Sequence, residues 1–367
     1  MIILAIETSC DETAISILEA TDGFLRPKFK ILSNIVASQI KIHAKWGGVV
    51  PNLAKREHLK NLPVVLKKAL VKSKIKIKNI DLISVTVGPG LEPALWTGIN
   101  FARDLSKVWD KPIIGINHME GHIAAVLLKE KSKLIKFPAL ALLVSGGHTE
   151  LVLIKDWLKY KIIGQTRDDA AGEAFDKVAK MLGLPYPGGP VVAKLADSHQ
   201  SSVANNQIKL PRPMINSKDY DFSFSGLKTA VLYLLRDLRG GKFGFRKISL
   251  DDRLKGSQLP APLVAEICYE FQQAVIDVLI SKTIRAAKEY KIKTIILGGG
   301  VAANKELRKQ LGKKIKKELP ITNYLLPVTS FTTDNATMIA AAAYLHALKK
   351  EFTKPSTLKA QGNLILK

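Results

Sequence analysis

The chain has 367 residues, 24% of them charged and 47% hydrophobic, which fits a globular protein of two ordinary domains. No apolar run is long enough to cross a bilayer. The short apolar start, residues 1–6, lacks a basic leader and is followed at once by Glu7 and Asp11, so neither a membrane span nor a signal peptide is expected. Two cysteines, Cys10 and Cys268, exclude a disulfide framework and make a reducing cytoplasm the expected setting.

Lys and Arg total 56 against 32 acidic residues, a net charge of +24. Such an excess favours a polyanionic partner through counterion release, although a lysine-rich or heat-adapted chain would carry it too. The basic residues gather at 67–78, 236–255 and 305–317.

Strand-like and helix-like segments alternate, the pattern of an α/β protein. Residues 2–6 and 14–18 read as strands around a polar turn, and 56–71 as a helix. Residues 80–87 read as a buried strand ended by Gly88-Pro89-Gly90, 97–109 as a helix and 113–116 as a strand. The opening then recurs: 139–144 and 150–154 are strands around the turn Ser145-Gly146-Gly147-His148-Thr149. Later come a long helix over 262–289, a buried strand over 294–297, a helix over 304–317 and an alanine-rich helix over 336–348 capped at Asp334-Asn335. Two stretches, 197–219 and 239–257, read as loops, the second of them basic.

Three constellations carry chemistry. Turns 8–13 and 145–149, with Gly298-Gly299-Gly300, expose backbone N–H groups that can hold a phosphate, and Asn304 can cap a helix or bind a ribose or base. His118 and His122 stand four apart, so on a helix they share a face and can grip one metal ion. A third ligand is needed, and Asp334 is the candidate, although capping a helix would also explain it. Glu120 lies about 200° round the helix from His118, the wrong side for the general base of a zinc protease. Glu173 and Asp176 share a helix face and suit ribose hydroxyls, magnesium, or pairing with Lys177 and Lys180.

Several motifs together resemble one family. They are Ile6-Glu7-Thr8-Ser9-Cys10-Asp11-Glu12-Thr13, Gly88-Pro89-Gly90-Leu91, His118-Met119-Glu120-Gly121-His122, Leu143-Val144-Ser145-Gly146-Gly147-His148-Thr149, Ala171-Gly172-Glu173-Ala174-Phe175-Asp176-Lys177, Phe222-Ser223-Phe224-Ser225-Gly226-Leu227-Lys228, Gly298-Gly299-Gly300-Val301-Ala302-Ala303-Asn304 and Thr333-Asp334-Asn335. In this order and over nearly the whole chain they resemble the tRNA adenosine threonylcarbamoyltransferases of the TsaD type, and Gly47-Gly48-Val49-Val50-Pro51 is similar to the bacterial branch.

The resemblance implies a two-lobed α/β fold of the actin/hexokinase/Hsp70 kind with duplicated ribonuclease-H-like lobes. One lobe would span 1–117 plus about 334–350 and the other 118–333, leaving a tail over 351–367; the basic insertion near 239–257 looks longer and more basic than is usual in the family and is expected to be a local tRNA-contacting loop. It implies transfer of a threonylcarbamoyl group from threonylcarbamoyl-AMP to N6 of adenosine 37 in tRNAs reading codons that begin with A. His118, His122 and Asp334 would bind the metal, iron(II) or else zinc. Leu143, Val144, Ser145, Gly146, Gly147, Asp176, Gly189 and Asn304 would contact the adenylate. Many relatives carry Asp where this chain has Ala193. The implied partners are tRNA, a paralogous dimerisation partner of the TsaB type and a small ATPase of the TsaE type. The donor is already activated, so the enzyme mainly positions two substrates and polarises a carbonyl; no strong general base is evident, and Asp11 and Glu12 in the first hairpin are no more than candidates. The competing readings are an ATP-dependent kinase or ATPase on the same fold, which leaves the histidine pair unexplained, a scaffold without turnover, and the disfavoured metalloprotease.

Overall fold

The computed structural model describes residues 1–129, 134–199, 208–240 and 259–367. The first sheet holds β1 (Ile2–Glu7), β2 (Glu12–Thr21), β3 (Lys28–Ser38), β4 (Leu82–Gly88) and β5 (Ile113–Asn117) in the order β3-β2-β1-β4-β5. The second holds β6 (Ala139–Val144), β7 (Thr149–Asp156), β8 (Lys159–Gln165), β9 (Thr294–Gly298) and β10 (Asn323–Leu325) in the order β8-β7-β6-β9-β10. In each sheet three antiparallel strands are followed by two parallel ones. The strand-turn-strand opening that recurs in the sequence is thus one motif built twice.

The helices are α1 (Ile40–His43), α2 (Pro51–Ser73), α3 (Glu92–Trp109), α4 (His118–Ala124), α5 (Ala171–Met181), α6 (Gly188–His199), α7 (Ser225–Gly240), α8 (Ala261–Glu289), α9 (Lys305–Glu318) and α10 (Ala336–Leu348). Pro51 and Pro93 sit in the first turns of α2 and α3, where a missing N–H is harmless, so both helices begin earlier than periodicity alone suggests. The expected loop over 197–219 is partly helix, since α6 runs to His199, and the basic stretch 239–257 lies outside the described residues beyond Gly240.

Strand alternation sorts the core into three layers. Leu4, Ile6, Ile15 and Ile17 face outward under α2 and α3. Ile3, Ala5, Ala14 and Leu18 face inward, and Ala139, Ala141, Leu143, Val152 and Ile154 face them from the second sheet. Leu140, Leu142, Leu151 and Leu153 point to α5 and α8. Strands buried on both faces read as unbroken apolar runs, as β1 and β6 do. Between the sheets lie α4 and α10. Gly121 eases their approach, because a Cβ there would stand 2.8 Å from Ile339 Cδ1 and 3.0 Å from Met338 Cγ and would make those side chains shift. The run of alanines in α10 serves the same end, letting a helix be buried nearly all round.

The last seventeen residues dock on the first sheet. Thr353 N–H donates to Ile113 O at 2.9 Å and Gln361 N–H to Val87 O at 2.8 Å, while Arg103 Nε donates to Pro355 O at 2.8 Å. Leu358 and Leu366 are buried there.

Candidate metal centre and anion cleft

The site forms in the middle layer, where strand ends from both sheets converge. His118 follows β5 directly and opens α4, whose first turn is capped by Asn117, its side chain accepting from Met119 N–H at 2.8 Å. One helical turn on, His122 stands on the same face; the two rings lie 4.7 Å apart, nearly perpendicular. Asp334 comes from the approach to α10. It is not the cap of that helix: Asn335 is, accepting from Met338 N–H at 3.1 Å, and Asp334 is left free to face the histidines. Asp334 Oδ1 lies 3.4 Å from His118 Nε2 and 3.5 Å from His122 Nε2.

These residues fit a metal ion. One ligand atom from each of the three lies within 4.8 Å of the others. Both ring nitrogens of His122 are buried without a hydrogen-bond partner, an arrangement that costs about 1–3 kcal/mol unless something binds them. Two imidazoles and one carboxylate are donors suited to a divalent transition metal.

Behind the ligands sits Glu7, fully buried at the end of β1. Its carboxylate accepts from Ser9 N–H at 2.5 Å, from Thr86 Oγ1 at 2.5 Å and from His118 Nδ1 at 3.1 Å. Ser9 Oγ also reaches Nδ1, at 3.2 Å. A carboxylate can only accept, so Nδ1 carries a proton toward Glu7, and Nε2, turned toward Asp334 and His122, is the nitrogen left to a metal once it gives up its own proton. Burial disfavours charge on all these groups. The attraction between His118 and the two carboxylates nonetheless raises the histidine well above its usual range and lowers Glu7 and Asp334. His122 is pushed down by burial, helped by the charge of His118. No role for Glu7 follows from helix or strand pattern, but a charge ending a wholly apolar strand is a signal, since a buried carboxylate requires partners.

Glu120 points the other way, as the helix geometry predicts. His346 of α10 donates to it through Nε2 at 3.0 Å and to Glu351 through Nδ1 at 2.6 Å. With both nitrogens donating, the ring is an imidazolium that clamps α4 to α10 from behind. Burial pushes its pKa down, but the hydrogen bonds and charges of Glu120 and Glu351 outweigh burial and raise it. A raised pKa stabilises the fold below the unfolded value and that stability is lost as pH rises through the folded one. The gap in thermal midpoint between the wild type and His346→Gln is therefore expected to narrow from about pH 6 to about pH 9. A gap independent of pH would show that the imidazolium is not the clamp.

The glycine turns line the same space. Around Gly146, Gly147 and Gly300 a Cβ would meet nothing within 4 Å, and around Gly189 only Phe175 Cβ at 4.0 Å, so a ligand can come close to the backbone there. Gly172 and Gly299 serve packing: a Cβ on either would overlap the Ser145 or Val144 carbonyl, at 2.5 and 2.4 Å. Ser145 fixes its turn by accepting from His148 N–H at 3.0 Å through Oγ. His148 is half-buried, and burial together with the charges of His118 and His122 pushes it down to about 4. Leu143 and Val144 are wholly buried, so any contact from them runs through the backbone.

Asp176 accepts from Gly188 N–H at 2.7 Å and holds the start of α6, while Glu173 pairs with Lys177 at 2.8 Å. Asn304 caps α9 by accepting from Leu307 N–H at 2.9 Å and gives its amide to Gln272 at 2.7 Å. Asp11 is buried beside the cleft, and Ala193 is half-buried on α6. Glu12 accepts from Ser38 Oγ at 3.1 Å; burial, then the charges of Asp11 and Asp334, push it up to about 10, so it keeps its proton near neutral pH.

A two-lobed molecule with twin ribonuclease-H-like sheets and a histidine-carboxylate cluster between them defines an actin/hexokinase-like protein with a candidate metal site. Comparison with known proteins narrows this. HypF from T. kodakarensis superposes over 95% of this chain and 48% of its own, with a TM-score of 0.57 at 13% identity, which is likeness of fold alone. The family profile for tRNA N6-adenosine threonylcarbamoyltransferase, TsaD, matches residues 30–341, and the chain belongs to that family. The tRNA N6-adenosine threonylcarbamoyltransferase of Thermosipho africanus (strain TCF52B) is 48% identical over 99% of both chains. The Bacillus subtilis (strain 168) protein of that name is 46% identical over 93% of this chain and 89% of its own.

Proposed function

We propose that this chain transfers the threonylcarbamoyl group of threonylcarbamoyl-AMP to N6 of adenosine 37 in tRNAs that read codons beginning with A. The observation that carries the reading is the convergence of two buried histidines, His118 and His122, with the half-buried Asp334 beside turns whose glycines leave the backbone open. The reaction forms a C–N bond at the carbamoyl carbon, breaks the C–O bond to phosphate and releases AMP and a proton. Amides of the 145–147 turn and of Gly300 hold the phosphate, and Gly189 borders the nucleoside. His118, His122 and Asp334 would hold a divalent ion, iron(II) or else zinc, which would supply Lewis-acid polarisation of the carbamoyl group. Asp176 and Asn304 act on the adenylate by shaping the starts of α6 and α9, since their side chains are engaged there.

The reading includes two lobes, 1–117 with 334–350 and 118–333, a TsaB-type paralogue and a TsaE-type ATPase as companions, and work in the cytoplasm. α10 packs on the strands of the first sheet, which supports assigning it to that lobe. The purified chain, given tRNA, chemically made threonylcarbamoyl-AMP and these companions, is expected to yield threonylcarbamoyladenosine in digested tRNA by mass spectrometry. ATP turnover with sugars and no tRNA, without nucleoside modification, would replace this reading by the kinase one.

A further inference from the structure

The segment between α1 and α2 carries a feature that the chemistry above does not use. Trp46 is 67% exposed, whereas the other three tryptophans, Trp96, Trp109 and Trp157, are half-buried. The loop that holds it is fixed from beneath. His43 Nδ1 accepts from Val50 N–H at 3.2 Å and its Nε2 donates to Gln39 Oε1 at 3.1 Å. Gln39 N–H donates to Asp11 O at 2.9 Å, and His58 Nε2 donates to Cys10 O at 2.9 Å. The loop is thereby tied to the 8–13 turn that lines the metal centre. It also meets the second lobe across the cleft, because a Cβ on Gly47 would stand 3.8 Å from the Lys180 ammonium of α5. Lys41, Lys45, Lys55, Arg56 and Lys180 are exposed around it, and none makes an ion pair among the described residues.

We propose that this loop is an RNA-docking element of the cleft mouth, in which the Trp46 indole stacks on an unpaired base of the anticodon loop while the surrounding cations hold flanking phosphates. An exposed aromatic within a field of unpaired cations is the chemistry that recognises unstacked single-stranded RNA; a duplex offers no free base face. A preorganised loop loses little freedom on binding. The inference rests on the tRNA reading above.

The test uses the full-length protein and two RNAs: an anticodon stem–loop, and a paired stem of equal length without a loop. Trp46→Ala is expected to weaken stem–loop binding roughly tenfold and to leave stem binding unchanged, while Trp46→Phe, which keeps a stacking face, stays close to the wild type. Lys45→Ala weakens both RNAs alike and lowers the salt slope by about one. Metal content and donor binding stay as in the wild type. Trp46→Ala binding the stem–loop within about twofold of the wild type, or losing both RNAs equally, overturns the proposal. So does a Trp46→Ala protein that binds RNA normally but fails to assemble with a protein partner. A wild type that binds neither RNA would instead sink the tRNA reading itself.

Discussion

His118→Ala and His122→Ala are both expected to purify without metal and to lose tRNA modification by at least about a hundredfold, yet to differ in stability. Two ligands cannot replace three, so elemental analysis reports loss of the ion in each. The stability difference follows from what each imidazole touches. His118 lies between Glu7 and Asp334, and its removal leaves the fully buried Glu7 and the half-buried Asp334 without their counter-charge. Breaking a buried pair from one side costs about 3–5 kcal/mol. Apart from the 3.5 Å approach of Nε2 to Asp334, which His118 also faces, the His122 nitrogens have no partner in the fold, so its loss strands far less than that of His118. In chelator-treated samples His122→Ala should therefore melt near the wild type and His118→Ala well below it. Equal melting of the two variants would remove the assigned asymmetry, and modification that survives complete metal removal would remove the metal from the reaction.

Much of this fold is legible from residue order. Strands buried on both faces announce themselves as apolar runs, and the small-residue turns after β1 and β6 mark the duplication. The outer strands β3 and β8 were harder to see. They begin Lys-Phe-Lys-Ile and Lys-Tyr-Lys-Ile, and a strand at a sheet edge keeps charges that mimic a loop. Helices α6 and α7 start beside Pro190 and Ser223-Phe224-Ser225, where turn chemistry masks the period. In the site, the spacing of His118 and His122 showed a shared face and ruled out Glu120. Asp334 could not be reached by spacing, because it stands more than two hundred residues away in sequence. Its expected capping role in fact belongs to Asn335, which only the backbone geometry distinguishes. Glu7 carries no signal of spacing, because a buried carboxylate has no period; its meaning lies in partners from the turn after β1, from β4 and from the start of α4.

Those partners give the second large expectation. Glu7→Gln preserves shape but not acceptance. Ser9 N–H, Thr86 Oγ1 and His118 Nδ1 all donate to this side chain. A glutamine offers one acceptor oxygen and turns an NH2 toward a donor, leaving at least one buried group unsatisfied at about 1–3 kcal/mol. The larger effect is on the metal. With Nδ1 no longer required to donate, His118 can carry its proton on Nε2 and present N–H where a lone pair is needed. A metal affinity about 10–100-fold weaker is expected, read by competition with a chelator. Glu7→Gln that holds metal as tightly as the wild type would mean that Ser9 alone sets the tautomer. The parallel order β1-β4-β5 makes this contact possible. It brings the carboxyl ends of three neighbouring strands together, so that Glu7 from the first, Thr86 from the second and His118 just past the end of the third meet at one point. The β1-β4-β5 pairing that builds the first lobe thus also fixes the protonation state of the ligand beyond its edge.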